Sequence, residues 1–250
     1  MKEVVHFLKN ITCEHLYLNG DIIDGWALRR GGQWQKKHTR FLRTILTKVE
    51  KEDVKVTYIR GNHDEILDRF LPLQFGTFQL KKEAIHTGVD GKKYLIVHGD
   101  GFDSISTKHK WVAMLGAVGY DLLLRINRLY NRYRRWHGKE YYSISKLIRA
   151  RVKSAVTFAD AYQDILREHA QKKQCDGIIC GHVHTPADQE VNGVRYLNSG
   201  DWVESLSAVV EHHDGRFEII YYEDFVLSLI AEQAELDKIN AEYDRALSQS

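Results

Sequence analysis

Leu16-Tyr17-Leu18-Asn19-Gly20-Asp21-Ile22-Ile23-Asp24-Gly25-Trp26 decides how the rest of the chain is read. An apolar run of strand character ends in Gly20, Asp21 follows at once, and a second carboxylate comes three residues later. A buried strand that releases a carboxylate at its C-terminal end stands where α/β sheets keep their ligands. Taken alone, the stretch is no more than a strand, a Gly-Asp turn and a helix start. Three later stretches change that reading. Residues 54–59 form an apolar run that delivers Arg60-Gly61-Asn62-His63-Asp64, residues 94–97 deliver His98-Gly99-Asp100, and residues 177–180 deliver Gly181-His182-Val183-His184. Four short strands that each end in a cluster of His, Asp or Asn make a site.

Working outward, residues 3–10 read as a helix with Val4, Val5, Phe7 and Leu8 on one side. Residues 34–51 keep helical spacing through Phe41, Leu42, Ile45, Leu46 and Val49, against a basic outer face. A long insertion of helical pattern occupies about 104–170. Beyond Asp188 come strand-like runs at 193–198, 203–211 and 216–222, with turn signals at Asn192-Gly193 and Asp214-Gly215. The tail, 223–250, reads as an acidic amphipathic helix, so the expected division is one domain over 1–222 carrying the insertion, then this helix.

A chain of 250 residues is long enough to bury a full core. Its net charge of +2 implies no partner, but the charge is unevenly placed. Residues 108–153 hold twelve Lys and Arg against Asp121 and Glu140, an excess of about ten that leaves the remainder acidic. Cys13, Cys175 and Cys180 lack the paired spacing of a zinc or redox motif, which fits a reducing compartment. No signal peptide is read at Met1, and the longest apolar run, 111–120, is too short to span a bilayer. A cytoplasmic protein, soluble or peripheral on a membrane, is expected.

Asp, Asn and imidazole offer oxygen and nitrogen ligands that suit manganese, iron, zinc or magnesium. Two such ions held about 3.5–4 Å apart lower the pKa of a bridging water and clamp the attacking and leaving oxygens of a displacement. A nucleophile then exists at neutral pH without serine or cysteine. His182 and His184 alternate along an extended segment, and Gly181 and Pro186 supply the turn that would redirect them.

Gly20-Asp21-x-x-Asp24, Gly61-Asn62-His63-Asp64, His98-Gly99-Asp100 and Gly181-His182-Val183-His184 resemble the motifs of the calcineurin-like metallophosphoesterase superfamily. The context, with Asn198-Ser199-Gly200-Asp201-Trp202, is similar to bacterial proteins grouped with UDP-2,3-diacylglucosamine diphosphatase. The resemblance implies an α/β fold of two packed mixed sheets flanked by helices, two Mn2+ ions, and hydrolysis of a phosphoester or diphosphate bond. By it, Asp21 bridges both ions, Asn62, His98 and His182 complete one shell, and His184 serves the other. His63 would sit over the scissile phosphate and stabilise or protonate the leaving group, oriented by Asp24; Asp24 is otherwise a helix N-cap.

Two departures stand out. The superfamily opens with an Asp-x-His motif on its first strand, and this sequence contains none. Either the start drops a central strand, or the chain is a one-metal or inactive relative acting as a membrane- or nucleotide-binding module. The lipid A pathway hydrolase also carries Arg where His63 stands, which bears on substrate. In the insertion, Arg125, Arg128, Arg132, Arg134 and Arg135 interleave with Tyr130, Tyr133 and Trp136. Such a mix suits an anionic membrane surface, nucleic-acid phosphates, or simply a solvated face of a packed cap. The expectation is a lid that admits a phosphate-bearing, acylated substrate, a nucleotide-linked lipid among the candidates, with a nuclease as the other enzymatic reading.

Overall fold

The structure is a computed structural model and describes residues 1–102 and 162–248. It divides into two compact units, Met1–Gly99 with Ala170–Ser250, and Asp100–His169. The insertion expected at 104–170 lies outside the described residues except for a helical stretch that begins by residue 162 and runs to 172.

In the first unit, β1 (His15–Asn19) runs parallel to β2 (Lys55–Ile59), and β2 runs parallel to β4 (Phe78–Lys81). β3 (Leu73–Phe75) closes this sheet antiparallel to β4, giving the order β1-β2-β4-β3. The second sheet has the order β5-β6-β7-β9-β8, from Glu83–Thr87, Lys93–Val97, Gly177–Cys180, Val194–Asn198 and Ala187–Val191. Its inner pairs β6-β7 and β7-β9 are parallel and its outer pairs antiparallel. A separate two-stranded ribbon joins β10 (Ser207–Glu211) to β11 (Phe217–Tyr221). The helices are α1 (Lys2–Lys9), α2 (Gly25–Arg29), α3 (Lys36–Lys51) and α4 (Tyr222–Ser248).

The first sheet is positioned by its period of two. Leu16 and Leu18 of β1, Val56 and Tyr58 of β2 and Leu80 of β4 share one face, and α1 and α3 cover it with Val4, Val5, Leu8, Phe41 and Ile45. Lys48 of α3 is buried as well, and its ammonium is satisfied by Ile11 O at 2.8 Å and Glu52 at 2.7 Å. Leu46, expected inside, is exposed, because its position turns away from the stripe set by Phe41, Ile45 and Lys48.

Other expectations also shift. The strand read at 203–211 begins only at Ser207, since Val203 and Glu204 donate their amides to the Asp201 side chain in a turn. β3, β4, β5 and β8 have no counterpart in the sequence reading. They are three to five residues long, and Gln74, Gln79, Glu83, Gln189 and Glu190 interrupt their apolar patterns. The tail is helical, and its first turns present Tyr222, Phe225, Val226 and Leu229 partly buried on one side, with Phe225 against Phe7 of α1, while Leu227 and Leu236 are exposed.

The opposite face of β1 is polar. The His15 ring stacks on Tyr17 at 4.0 Å and meets Thr57 Oγ1 at 2.9 Å, while the Tyr17 hydroxyl lies 3.3 Å from His86 Nδ1. Burial, helped by His86 and nearby lysines, pushes the His15 imidazole down from 6.5 to about 4. The folded protein therefore holds His15 neutral, whereas the unfolded chain protonates it near 6.5. Stability from this residue is complete above pH 6.5 and is lost as pH falls toward 4. Urea unfolding at pH 7 and at pH 4.5 should show a smaller loss of stability on acidification for His15→Gln than for the native sequence.

Candidate metal centre

Parallel pairing puts the C-terminal ends of β1 and β2 side by side, and likewise those of β6 and β7. The Asn19 amide joins the two pairs. Oriented to satisfy both its ends, it donates to Val97 O at 3.0 Å and accepts from Gly181 N at 3.2 Å. Gly20 and Asp21 then both turn with positive φ, 78° and 54°, directing the carboxylate back over the strand ends. A Cβ at Gly20 would collide with the His98 ring, and one at Gly61 with the Asp21 carboxylate, so these glycines permit the close approach.

Three predicted ligands converge. Single donor atoms of Asp21, His98 and His182 all lie within 4.8 Å of one another. Asp21 Oδ2 is 3.2 Å from His98 Nε2, and Asp21 Oδ1 accepts the His63 amide at 2.9 Å. His98 Nδ1 lies 2.9 Å from Asn19 O; because a carbonyl only accepts, Nδ1 carries the proton and Nε2 faces the carboxylate. Burial pushes the Asp21 carboxyl up, but His98 and the His63 amide together outweigh it and hold it below the usual range. Asn62 Oδ1 is shielded from solvent and accepts no hydrogen bond among the described residues. A carboxylate, two imidazoles and an unsatisfied amide oxygen fit a divalent ion of intermediate hardness.

His63 lies in the same loop. Its Nδ1 is 3.2 Å from Asp24 Oδ1, and the Trp26 ring packs against it with centroids 4.4 Å apart. Asp24 also accepts the Ala27 amide at 2.9 Å, so it caps α2 and faces His63 at once. That amide first, and His63 after it, hold the Asp24 carboxyl low against slight burial. His184 stands apart from the three-ligand cluster, half exposed, with Nδ1 3.2 Å from Asp201 Oδ2.

Sequence reasoning gave no role to Asp64 or Trp26. Asp64 is fully buried and accepts the amides of Ile23, Ile22 and Gly61 at 2.7, 3.1 and 3.3 Å. Burial raises its carboxyl, and the Ile23 amide, the Tyr58 hydroxyl and the other two amides offset only part of that rise. Its signal was an acidic residue one step past the candidate ligands, in a loop with no lysine or arginine nearer than Arg60. Asp64→Ala would leave three amides without their acceptor. It should cost roughly 3 kcal/mol or more in a denaturant titration of metal-free protein.

Comparison with known proteins identifies the family. A family model described as calcineurin-like phosphoesterase matches residues 1–186. The chain is 24% identical over 220 residues to a UDP-2,3-diacylglucosamine hydrolase of Psychromonas ingrahamii, covering 83% of this chain and 85% of that one. It is 26% identical over 185 residues to the protein of the same name from Shigella sonnei, covering 70% of each. Among solved structures, a novel archaeal phosphodiesterase aligns with 88% of this chain and 90% of its own at 12% identity and a TM-score of 0.41. With the model spanning well over half its length, the chain belongs to the calcineurin-like phosphoesterases, hydrolases of phosphoester bonds that work with divalent metal.

Proposed function

We propose that this hydrolase cleaves a phosphoester or diphosphate bond in a nucleotide-linked acylated sugar of the UDP-2,3-diacylglucosamine type. The carrying observation is the convergence of Asp21, His98 and His182 beside the His63–Asp24 pair. Asp21, Asn62, His98 and His182 would hold one ion and Asp21 with His184 a second. Bound there, manganese would polarise a phosphoryl oxygen and make water acidic enough to attack near neutral pH.

The chain's own groups do the remaining work. The Asn19 carbonyl keeps the proton of His98 on Nδ1, so that Nε2 points into the site. The Asp24 carboxylate faces Nδ1 of His63 and the Trp26 ring packs on the imidazole, so the ring is held in one orientation. Anchored through Nδ1, His63 would give a proton from Nε2 to the leaving oxygen as the P–O bond breaks.

The substrate class rests on what the similar proteins from Psychromonas ingrahamii and Shigella sonnei are named for. The basic, aromatic sequence of 108–153 supports a working place at the inner membrane face, since each Lys or Arg there adds on the order of 1 kcal/mol on an anionic surface. No described helix is long and apolar enough to cross a membrane.

The test is hydrolysis of bis-p-nitrophenyl phosphate with manganese, magnesium, zinc or iron, then of UDP-2,3-diacylglucosamine followed by mass spectrometry. Turnover should vanish with EDTA and return with manganese. His63→Gln should lower kcat by about 100-fold or more, and Asp21→Asn or His182→Ala should abolish it. A protein inert with every ion would sink the proposed chemistry. Binding to an oligonucleotide but not to anionic liposomes, with a steep salt dependence, would move the substrate to nucleic acid.

A further inference from the structure

The polar face of the first sheet holds a cleft of about 200 Å³. His15 of β1, Lys55 and Thr57 of β2, Gln79 of β4, and Gln74 and Thr77 around the β3–β4 turn line it. β1, β2 and β4 are parallel, so these positions gather where the strands begin. The register sets Thr57 beside Gln79 and Gln79 beside Gln74, so the three side chains share one face. The candidate metal centre lies past the other end of the same strands. The length of β1, roughly 13 Å from His15 to Asn19, separates the cleft from the loop that carries Asp21.

Part of the lining is already satisfied. His15 Nε2 lies 2.9 Å from Thr57 Oγ1, and Thr77 Oγ1 donates to Val54 O at 3.2 Å. The ammonium of Lys55 and the side-chain amides of Gln74 and Gln79 bond no group among the described residues. None of the lining residues is acidic. Besides burial, the groups that act on the His15 ring are His86, Lys55 and Lys81, and each opposes its protonation. The cleft therefore offers nitrogen donors in a positive field, with no carboxylate in its wall.

Such a lining selects among ligands. A cation is repelled by Lys55, and an apolar group would strip water from the donors and give nothing back. An anion gains charge-assisted hydrogen bonds. Lys55, Gln79 and Gln74 stand on three successive strands of the sheet. Their long side chains can each meet one oxygen of a tetrahedral group, where a planar carboxylate offers only two.

We propose that this cleft is a second ligand site, for a phosphate group, distinct from the metal centre. Lys55 supplies the opposite charge, and Gln79 and Gln74 donate their amide hydrogens. The His15 ring, stacked on Tyr17, forms part of the wall. Free phosphate and the terminal group of a phosphate ester present the same oxygens to these donors. The site needs no metal, so it goes beyond the hydrolysis proposed above and does not depend on it.

The experiment is a proton NMR titration of the full chain at pH 7 in EDTA, read at the His15 ring and assigned through His15→Gln. Inorganic phosphate, glycerol 3-phosphate, acetate and chloride are added in turn at matched ionic strength. The His15 signal should shift saturably with the phosphates and show no saturation with acetate or chloride, while the His63 signal stays in place. Lys55→Gln and Gln79→Leu should each weaken binding about tenfold, with circular dichroism unchanged. Saturation by either phosphate supports the site, and the tighter of the two identifies the source of the group.

Three results would overturn the proposal. One is the absence of saturation with both phosphates. Another is an equal response to acetate or chloride, which marks screening of surface charge and not a site. The third is native affinity in both Lys55→Gln and Gln79→Leu. A shift confined to His63 would place the bound phosphate at the metal centre and leave the cleft without a ligand.

Discussion

The carboxylate of Asp64 is fully buried, surrounded by backbone amides with the Tyr58 hydroxyl beside them. It draws the amides of Ile22 and Ile23, which follow β1, toward the amide of Gly61, which follows β2. Burial of an acidic group is unfavourable by several kcal/mol unless donors replace the lost water, and here three do. Everything the site needs from the first sheet depends on this tie. It sets the distance between Asp21 on one loop and the segment Asn62-His63 on the other, and the His63 amide completes the junction by bonding Asp21 itself. Two adjacent parallel strands would otherwise release their loops into solvent with no shared geometry.

The second sheet is joined to the first by the Asn19 side chain, and a second amide braces the same turn. Asn19 extends β1 across to Val97 and Gly181, and Asn198 extends β9 to Gly181 from the other side. Each asparagine offers a donor and an acceptor from one short, stiff group, so it can substitute for a strand where the ladder has ended. The turn that carries His182 and His184 is therefore held by hydrogen bonds from both directions, while the imidazoles themselves project from it. The same economy appears at Asp24, whose carboxylate caps α2 and also faces His63.

Much of this was legible in the sequence, and the reason is local. β1, β2, β6 and β7 are short, largely apolar runs followed by Gly, Arg-Gly or His-Gly, so their position and the residues they deliver can be read without tertiary information. α1 and α3 announce themselves by apolar spacing. Leu46 was misplaced because a helix stripe one residue wide cannot be told from a neighbouring one until Lys48 is known to turn inward. β3 to β5 and β8 were missed because polar residues interrupt their patterns, so their backbone pairing is not mirrored in composition. The roles of Asp64 and Asp201 were out of reach for a different reason: a carboxylate that binds backbone amides leaves no pattern of partner residues in the sequence.

Asp21, His182 and His184 all have a left-handed backbone, with φ of 54°, 63° and 55°. Few residue types accept that conformation readily; apart from glycine, Asp, Asn and His are the enriched ones. Glutamate carries a longer carboxylate and cysteine a softer donor, but neither belongs to that short set. The turn geometry thus acts as a filter on side-chain chemistry before any ion is considered. What passes it is a palette of short carboxylates, amides and imidazoles, so the hardness of the centre is written into the backbone angles.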